Sequence, residues 1–373
     1  MIGAELPALG AGVGLLAGVA WLPPRAARVL GAVFGGALLF AILRTGAGVA
    51  AGAACGVVTA ALLFAFAPGE VMRRVTFLVP SLLLLVFVTT LLMYHAPGSP
   101  FAGEKVASPQ VEAALRAHFG VPKSAVEFFW IYVRRLVVTG SLGPSVKVAG
   151  RTVEALLAPA LPVSVSLGLL ALVLAAAAGL VLGVLAGLKP NSRADYASMG
   201  LSAVGLSLPS FVIGASLIVL FGLKLGWLPV AGWGGLRHVV LPAVTLALPY
   251  AAYIARLARG GTIEVMSQDF IRTARAKGVP ESAVVLRHAL NGAILPVVSF
   301  LGPAAAGIMT GSFVVETLFD IPGMGQWFVR GAINRDYSVV LGTALVYAAL
   351  VTLFNLLVDL AYAWLDPRIR SRR

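Results

Sequence analysis

Charge is scarce in this sequence. Asp, Glu, Lys and Arg make up 12% of its 373 residues, against about a quarter in an ordinary soluble domain. With 59% apolar residues and a mean hydropathy of +0.95, the chain cannot present a normal water-facing surface, and a polytopic membrane protein is expected. Cysteine is nearly missing. Cys55 stands alone in an apolar run, which excludes an intrachain disulfide and leaves it as a small packing residue. The four histidines, His95, His118, His238 and His288, are far apart with no Cys or carboxylate at ligand spacing, so no metal site is expected in this chain. No Gly-Lys dipeptide occurs, which excludes a phosphate loop of the form G-x-x-x-x-G-K-[ST]. Gly323-Met324-Gly325 lacks the rest of a dinucleotide fingerprint. No cofactor and no catalytic residue are therefore expected, and any ATP must be handled by another polypeptide. Acidic residues are outnumbered 15 to 28, giving a net charge of +13. The basic residues sit at the ends of apolar spans and not in one patch with stacking aromatics, so topology explains them better than nucleic acid does.

What is present in abundance is apolar runs of membrane length. About 20 apolar residues cross a bilayer. Six such spans are expected over Thr76–Tyr94, Leu161–Leu188, Ala197–Leu223, Val239–Leu257, Ala293–Leu318 and Val339–Trp364. Before them lie Ala8–Leu22, Val29–Leu43 and Gly46–Ala67, which give nine spans in all. The first two are short, and pairing them as tilted or interfacial segments leaves seven or eight. The N-terminal block lacks the basic region of a secretory leader, since Glu5 is the only charge before Arg25, and is read as retained. Glycines at Gly48, Gly52 and Gly56, and again at Gly179, Gly183 and Gly187, are spaced for close helix approach in lipid.

Orientation follows from the cations. If the Asp269–Pro296 segment lies inside, 16 of the 28 Lys and Arg residues are cytoplasmic, among them Arg73, Arg74, Lys189, Arg193, Arg256 and Arg259. The short outer loops hold only Arg44, Lys224, Arg237, Arg330 and Arg335. The remaining seven lie in the long 96–159 region, and long translocated segments obey the positive-inside rule weakly. The C-terminus is then cytoplasmic. Within the outer region, Pro109–Phe119 reads as an amphipathic helix, followed by an aromatic run of Phe128, Phe129, Trp130 and Tyr132 suited to the membrane interface.

The segment DFIRTARAKGVPESAVVLRHALNGAILP, Asp269 to Pro296, is the most informative. Asp269–Lys277 suits a short amphipathic helix with Phe270, Ile271 and Ala274 on one side and Arg272, Arg275 and Lys277 elsewhere. Gly278 ends it, because glycine tolerates the positive φ found just past a helix, and Pro280-Glu281 opens a second helix. Helix, sharp turn and helix make a knuckle, with Ala274 and Gly278 leaving room for a partner. A docking site and a basic loop against lipid headgroups are both compatible with these residues.

This segment resembles the coupling loop of ABC-importer permeases, in the form found in the dipeptide, oligopeptide and nickel permease family. GWLPVAGW (Gly226–Trp233), VVETLFDIPGMG (Val314–Gly325), RDYSVV (Arg335–Val340) and LVDLAYAWLDPRIR (Leu357–Arg370) are similar to the same family in the same order, over about Val71 to Arg370. Two departures stand out. The Glu-Ala-Ala of the motif reads Arg272-Thr273-Ala274, and an apolar block precedes Val71. The resemblance implies an all-α, type I importer permease core of six helices over 71–373, with about three extra helices in 1–70, an extracytoplasmic region at 95–160 and a coupling loop at 259–292. It implies a B-type subunit that works with a second, similar permease, two cytoplasmic ATPases that bind ATP and Mg, and an extracytoplasmic solute-binding protein. It places Asp269, Arg272, Ala274, Arg275, Gly278, Arg287 and His288 at the ATPase contact. Glu316, with the Asp320, Pro322 and Gly323 turn, becomes a gating or loop-anchoring group.

Polar residues inside spans have two readings each. Asn355 and Asp359, one helical turn apart in the last span, suit a structural contact with a neighbouring helix better than proton coupling. Ser164, Ser166, Ser207, Ser210, Ser216, Ser299, Thr310 and Ser312 either line a polar path or satisfy helix carbonyls, and the second is favoured for most. The rivals are an ion-gradient secondary transporter, which needs deep charges in several spans and inverted repeats, an assembly scaffold, and an importer of nickel or another solute within the same family.

Overall fold

The computed structural model describes residues 69–96 and 124–365. The three N-terminal spans with Gly48, Gly52, Gly56 and Cys55, the Pro109–Phe119 helix and the basic tail after 365 lie outside the described residues. Helices α1 (Gly69–His95), α2 (Ala125–Thr139), α3 (Val153–Leu188), α4 (Arg193–Ser207) and α5 (Ser210–Leu217) come first. Then follow α6 (Leu236–Met266), α7 (Asp269–Ala276), α8 (Leu290–Leu318), α9 (Met324–Asn334) and α10 (Tyr337–Leu365). Among the described residues the only β contact is an isolated Pro144–Thr152 bridge.

Four helices are long and apolar enough to cross a membrane: α3, α6, the Ile294–Leu318 part of α8 and the Tyr337–Val358 part of α10. A bent pair, Arg193–Ser207 with Ser210–Lys224, makes a fifth, and α1 carries the apolar stretch Pro80–His95. The expected Ala197–Leu223 span is therefore not a straight helix. It breaks by 109° at Leu208-Pro209, because proline disfavours helical φ/ψ in the residue before it and Leu208 takes an extended conformation. Large apolar side chains such as Val173, Val181, Leu201 and Val204 are exposed on these helices. That is the outside of a membrane protein, where lipid or a neighbouring helix takes the place of water.

The chain forms two compact units. Among the described residues, one comprises 69–96, 124–160 and 327–352, the other 161–326 and 353–365. In the first, Ser124 caps α2 by accepting from the Glu127 N–H at 3.1 Å, and Gly140 closes it with a left-handed φ of 65°. The aromatic run does not form one interfacial face. Phe129 packs edge-on against Phe87 of α1, Trp130 is exposed and Tyr132 is fully buried. Asp336 lies in the RDYSVV stretch. It accepts from the Ser145 hydroxyl, from the Lys147 N–H at 3.1 Å and from the Val339 N–H at 3.3 Å at the start of α10. One carboxylate thus pins the 140–152 loop and caps a membrane helix.

In the second unit α6 is the central element, packed against α4, α5 and α8. The glycine face of α3 also approaches it closely. A Cβ at Gly179 would lie 2.6 Å from the Ala251 carbonyl, one at Gly183 would collide with the Ala255 carbonyl, and one at Gly187 would lie 2.6 Å from Thr262 Cβ. The expected close approach is thus realised backbone to backbone, where dispersion contacts replace the missing hydrophobic driving force between helices in lipid.

Candidate functional site

Two local constructions stand at opposite ends of α8, roughly 40 Å apart along its axis at 1.5 Å per residue. The first is the knuckle. Helix α7 spans Asp269–Ala276, and Gly278 follows with φ +75°. The Gly278 N–H donates to the Arg275 carbonyl at 3.0 Å and the Val279 N–H to the Ala274 carbonyl at 3.2 Å. This pair of bonds is a complete Schellman motif, which satisfies two carbonyls that a helix end leaves open. A Cβ at Gly278 would meet nothing within 4 Å, so the demand for glycine there comes from the backbone angle and not from crowding. Pro280 takes the extended conformation before Glu281–Ala283, which runs through a π-helical turn, Val284–Ala289, into α8.

A side-chain tie closes the same turn. Arg275 Nη2 donates to Glu281 Oε1 at 2.6 Å and its Nε to Oε2 at 3.1 Å, a forked pair across the bend. The Arg275 guanidinium holds the Glu281 carboxyl below its ordinary value, and Glu281 raises that of Arg275 in return. Beneath it, α7 packs on the π-helical turn, where Ile271 and Val284 are both fully buried. Asp269 and Arg272 are exposed, 3.7 Å apart, a spacing that contributes little in water. Ala274 is half-buried, and Arg287 is exposed on the π-helical turn. His288 falls on that turn, with its side chain outside the described set. Phe270 differs from the sequence reading. It is 50% exposed and points away from buried Ile271, because successive residues of a helix lie about 100° apart and only one of two neighbours can face the turn. The knuckle is therefore a small preformed block with its own core, its own staple and an aromatic ring on its outer surface.

The second construction is the turn between α8 and α9. Glu316 is completely buried, and its Oε2 accepts from the Gly325 N–H at 2.7 Å. Its carbonyl accepts from the Ile321 N–H at 2.8 Å. Ser164 of α3 accepts from the Met324 N–H at 2.8 Å, so this hydroxyl anchors the turn and does not line a path. A Cβ at Gly323 would strike the Glu316 carboxylate and come within 2.6 Å of Ser164 Oγ. Asp320, at φ 47°, accepts from Gln326 Nε2 at 2.9 Å. Pro322 lies between them. The Phe319 carbonyl accepts from the Gly232 N–H at 2.8 Å, which ties the GWLPVAGW loop to this turn. The structure thus brings Glu316, Asp320, Pro322 and Gly323 together.

The other in-membrane polar residues serve helices. Ser166, Ser207, Ser216, Ser299, Thr310 and Ser312 each donate to a carbonyl three or four residues back. Asn355 packs on Gly302, whose Cβ would lie 2.8 Å from Asn355 Oδ1. Asp359 lies on α10, with its side chain outside the described set. Sequence reasoning missed Glu281, whose pairing across a turn has no helical periodicity, and the Asp195–Arg259 ion pair between α4 and α6. Asp195 stands in the first turn of α4 behind the Ser192 cap, a place where an acid is expected whatever it pairs with, so the sequence gives no sign of its partner.

The family described as the binding-protein-dependent transport system inner membrane component matches residues 179–371. The chain is 45% identical over 302 residues to the oligopeptide transport system permease protein OppB of Salmonella typhimurium, covering 80% of this chain and 98% of that protein. It is 40% identical over 301 residues to the dipeptide transport system permease protein DppB of Bacillus subtilis, covering 81% and 97%. A crystal structure of an amino acid ABC transporter with histidines is similar with a TM-score of 0.44 and 17% identity, over 56% of this chain and 94% of that one. The chain belongs to the binding-protein-dependent transport system inner membrane component family, and it is a multi-pass membrane permease of ABC-importer type.

Proposed function

We propose that this chain carries peptides, or solutes of similar size, across the cytoplasmic membrane, powered by ATP that separate subunits bind and hydrolyse. The relatives named as oligopeptide and dipeptide permeases support the cargo class. Its working partners are a second, similar permease, two cytoplasmic ATPases and an extracytoplasmic binding protein, and its C-terminus lies in the cytoplasm.

The observation that carries the coupling role is the knuckle's construction. A turn that must pass force cannot be a floppy loop. Here the Schellman bonds, the Arg275–Glu281 fork and buried Ile271 and Val284 fix the bend, while Phe270, Arg272 and Arg287 remain on the outside. When the ATPases close on nucleotide, they push this block, and rigid helices convert the displacement into alternating access. At the far end of α8 the Glu316-anchored turn serves as the extracytoplasmic closure. The test is purification of the tagged chain from its native cell in mild detergent. Co-purification of an ATPase and a second permease, the ATPase reduced by Phe270→Ala, is the expected result. Recovery of the intact chain alone, even after crosslinking, overturns the reading in favour of a transporter driven by an ion gradient.

A further inference from the structure

We propose that the Asp195–Arg259 ion pair is the strut that carries displacement of the knuckle into the bent α4–α5 element, and through it to the Glu316-anchored turn. This role rests on the coupling reading above and assigns its internal route. Arg259 Nε donates to Asp195 Oδ1 at 2.6 Å and Nη2 to Oδ2 at 2.8 Å, a two-pronged contact that fixes angle as well as distance. The Asp195 side chain is 3% exposed and that of Arg259 28%. The same carboxylate accepts from the N–H of Asn191 at 2.8 Å, where the backbone turns through φ 61°. Ser192 caps α4 by accepting from the Asp195 N–H at 3.2 Å. The start of α4 is thereby bolted to α6 near its C-terminal end, just before the chain enters α7. Gly187 leaves no slack at this level, since a Cβ there would sit 2.9 Å from the Arg259 carbonyl.

The other end of the route is equally close. Past the break at Leu208-Pro209, α5 presents Gly214, whose Cβ would lie 2.6 Å from Leu318 and 3.3 Å from Phe319, the residues that lead out of Glu316 into its turn. Knuckle, α6, α4, α5 and turn all belong to one compact unit. Among the described residues of that unit, Asp195 and Glu316 are the only fully buried acids, one at each end of the route. A half-buried pair of this kind adds little net stability over a well-packed apolar contact, but its fork holds one geometry, and breaking it leaves the buried Asp195 carboxylate without its counter-charge. That combination suits a transmitting contact better than a simple adhesive.

The test uses the complex purified from native membranes, with Trp227→Cys as an exposed reporter on the loop tied to Phe319, in a Cys55→Ser background. Labelling by a membrane-impermeant maleimide is compared without nucleotide and with ATP plus vanadate. The parent is expected to change its labelling rate about tenfold between the two states. Asp195→Asn is expected to keep the ATPase bound and hydrolysing while losing this response. Arg259→Lys, which retains charge but not the fork, recovers part of it. A response in Asp195→Asn equal to the parent's overturns the strut, and so does a joint loss of assembly, hydrolysis and response, which marks a merely structural contact. Absence of a co-purifying ATPase in the parent overturns the coupling reading itself, and the strut with it.

Discussion

At Gly278 the backbone sits in the left-handed region with open space around it. Any larger side chain is accepted sterically by its surroundings but strains its own peptide unit by about 1–2 kcal/mol. The strain falls on the two Schellman bonds, and Arg275–Glu281 opposes it only in part. That pair also gives the knuckle a pH signature. Because Arg275 depresses the Glu281 carboxyl, its contribution is present above the ordinary carboxylate range and is lost as pH falls through the lowered folded value. The protection factors of the Gly278 and Val279 amides, each exchange rate divided into the intrinsic rate at the same pH, should therefore be higher at neutral pH, fall in acid and be low throughout in Glu281→Gln. High salt should weaken the protection, since the pair is exposed. Gly323 poses the opposite problem, crowding without positive φ. Gly323→Ala must displace the Glu316 carboxylate or Ser164, and overpacking of this sort costs about 1–3 kcal/mol. Faster proteolysis between Phe319 and Gln326 in that variant, with the knuckle's exchange unchanged, is the expected outcome.

The α3–α6 pair shows which features of an element a sequence reveals. Three glycines four residues apart mark a close-packing face whatever lies opposite, and the structure seats Ala251, Ile254, Ala255, Ala258 and Thr262 against it. Gly183→Leu should separate the helices and lower the yield of folded chain, measured as the monodisperse fraction in detergent, whereas Gly200→Leu on α4, with nothing within 4 Å, should not. The knuckle was equally legible, because Gly278 and Pro280-Glu281 are punctuation with a fixed conformational meaning. The bend at Leu208-Pro209 was missed although Pro209, with Ser207 and Ser210 beside it, marks the place, because a proline within an apolar run is often carried inside a membrane helix, as Pro242 and Pro249 are in α6, and hydropathy carries no angle. The beginning of α3 at Val153 in place of Leu161 was missed too, because a helix can continue past the apolar window that reveals it. Ion pairs such as Asp195–Arg259, 64 residues apart, depend on tertiary approach and leave no local pattern.

Across the whole molecule, the scarcity of charge marked a polytopic membrane protein, the permease reading came from the motifs of residues 226–370, and family membership rests on relatives matched over nearly their full length. The proposed coupling is mechanical: a rigid knuckle would pass the work of ATP hydrolysis by other subunits into this chain. The most direct test reconstitutes the complete complex with its binding protein in vesicles and measures labelled di- and tripeptide uptake per ATP hydrolysed for Gly278→Leu beside the parent. The expected result is a correctly inserted variant that still hydrolyses ATP while its uptake per ATP falls about tenfold. An unchanged ratio would contradict the proposed coupling.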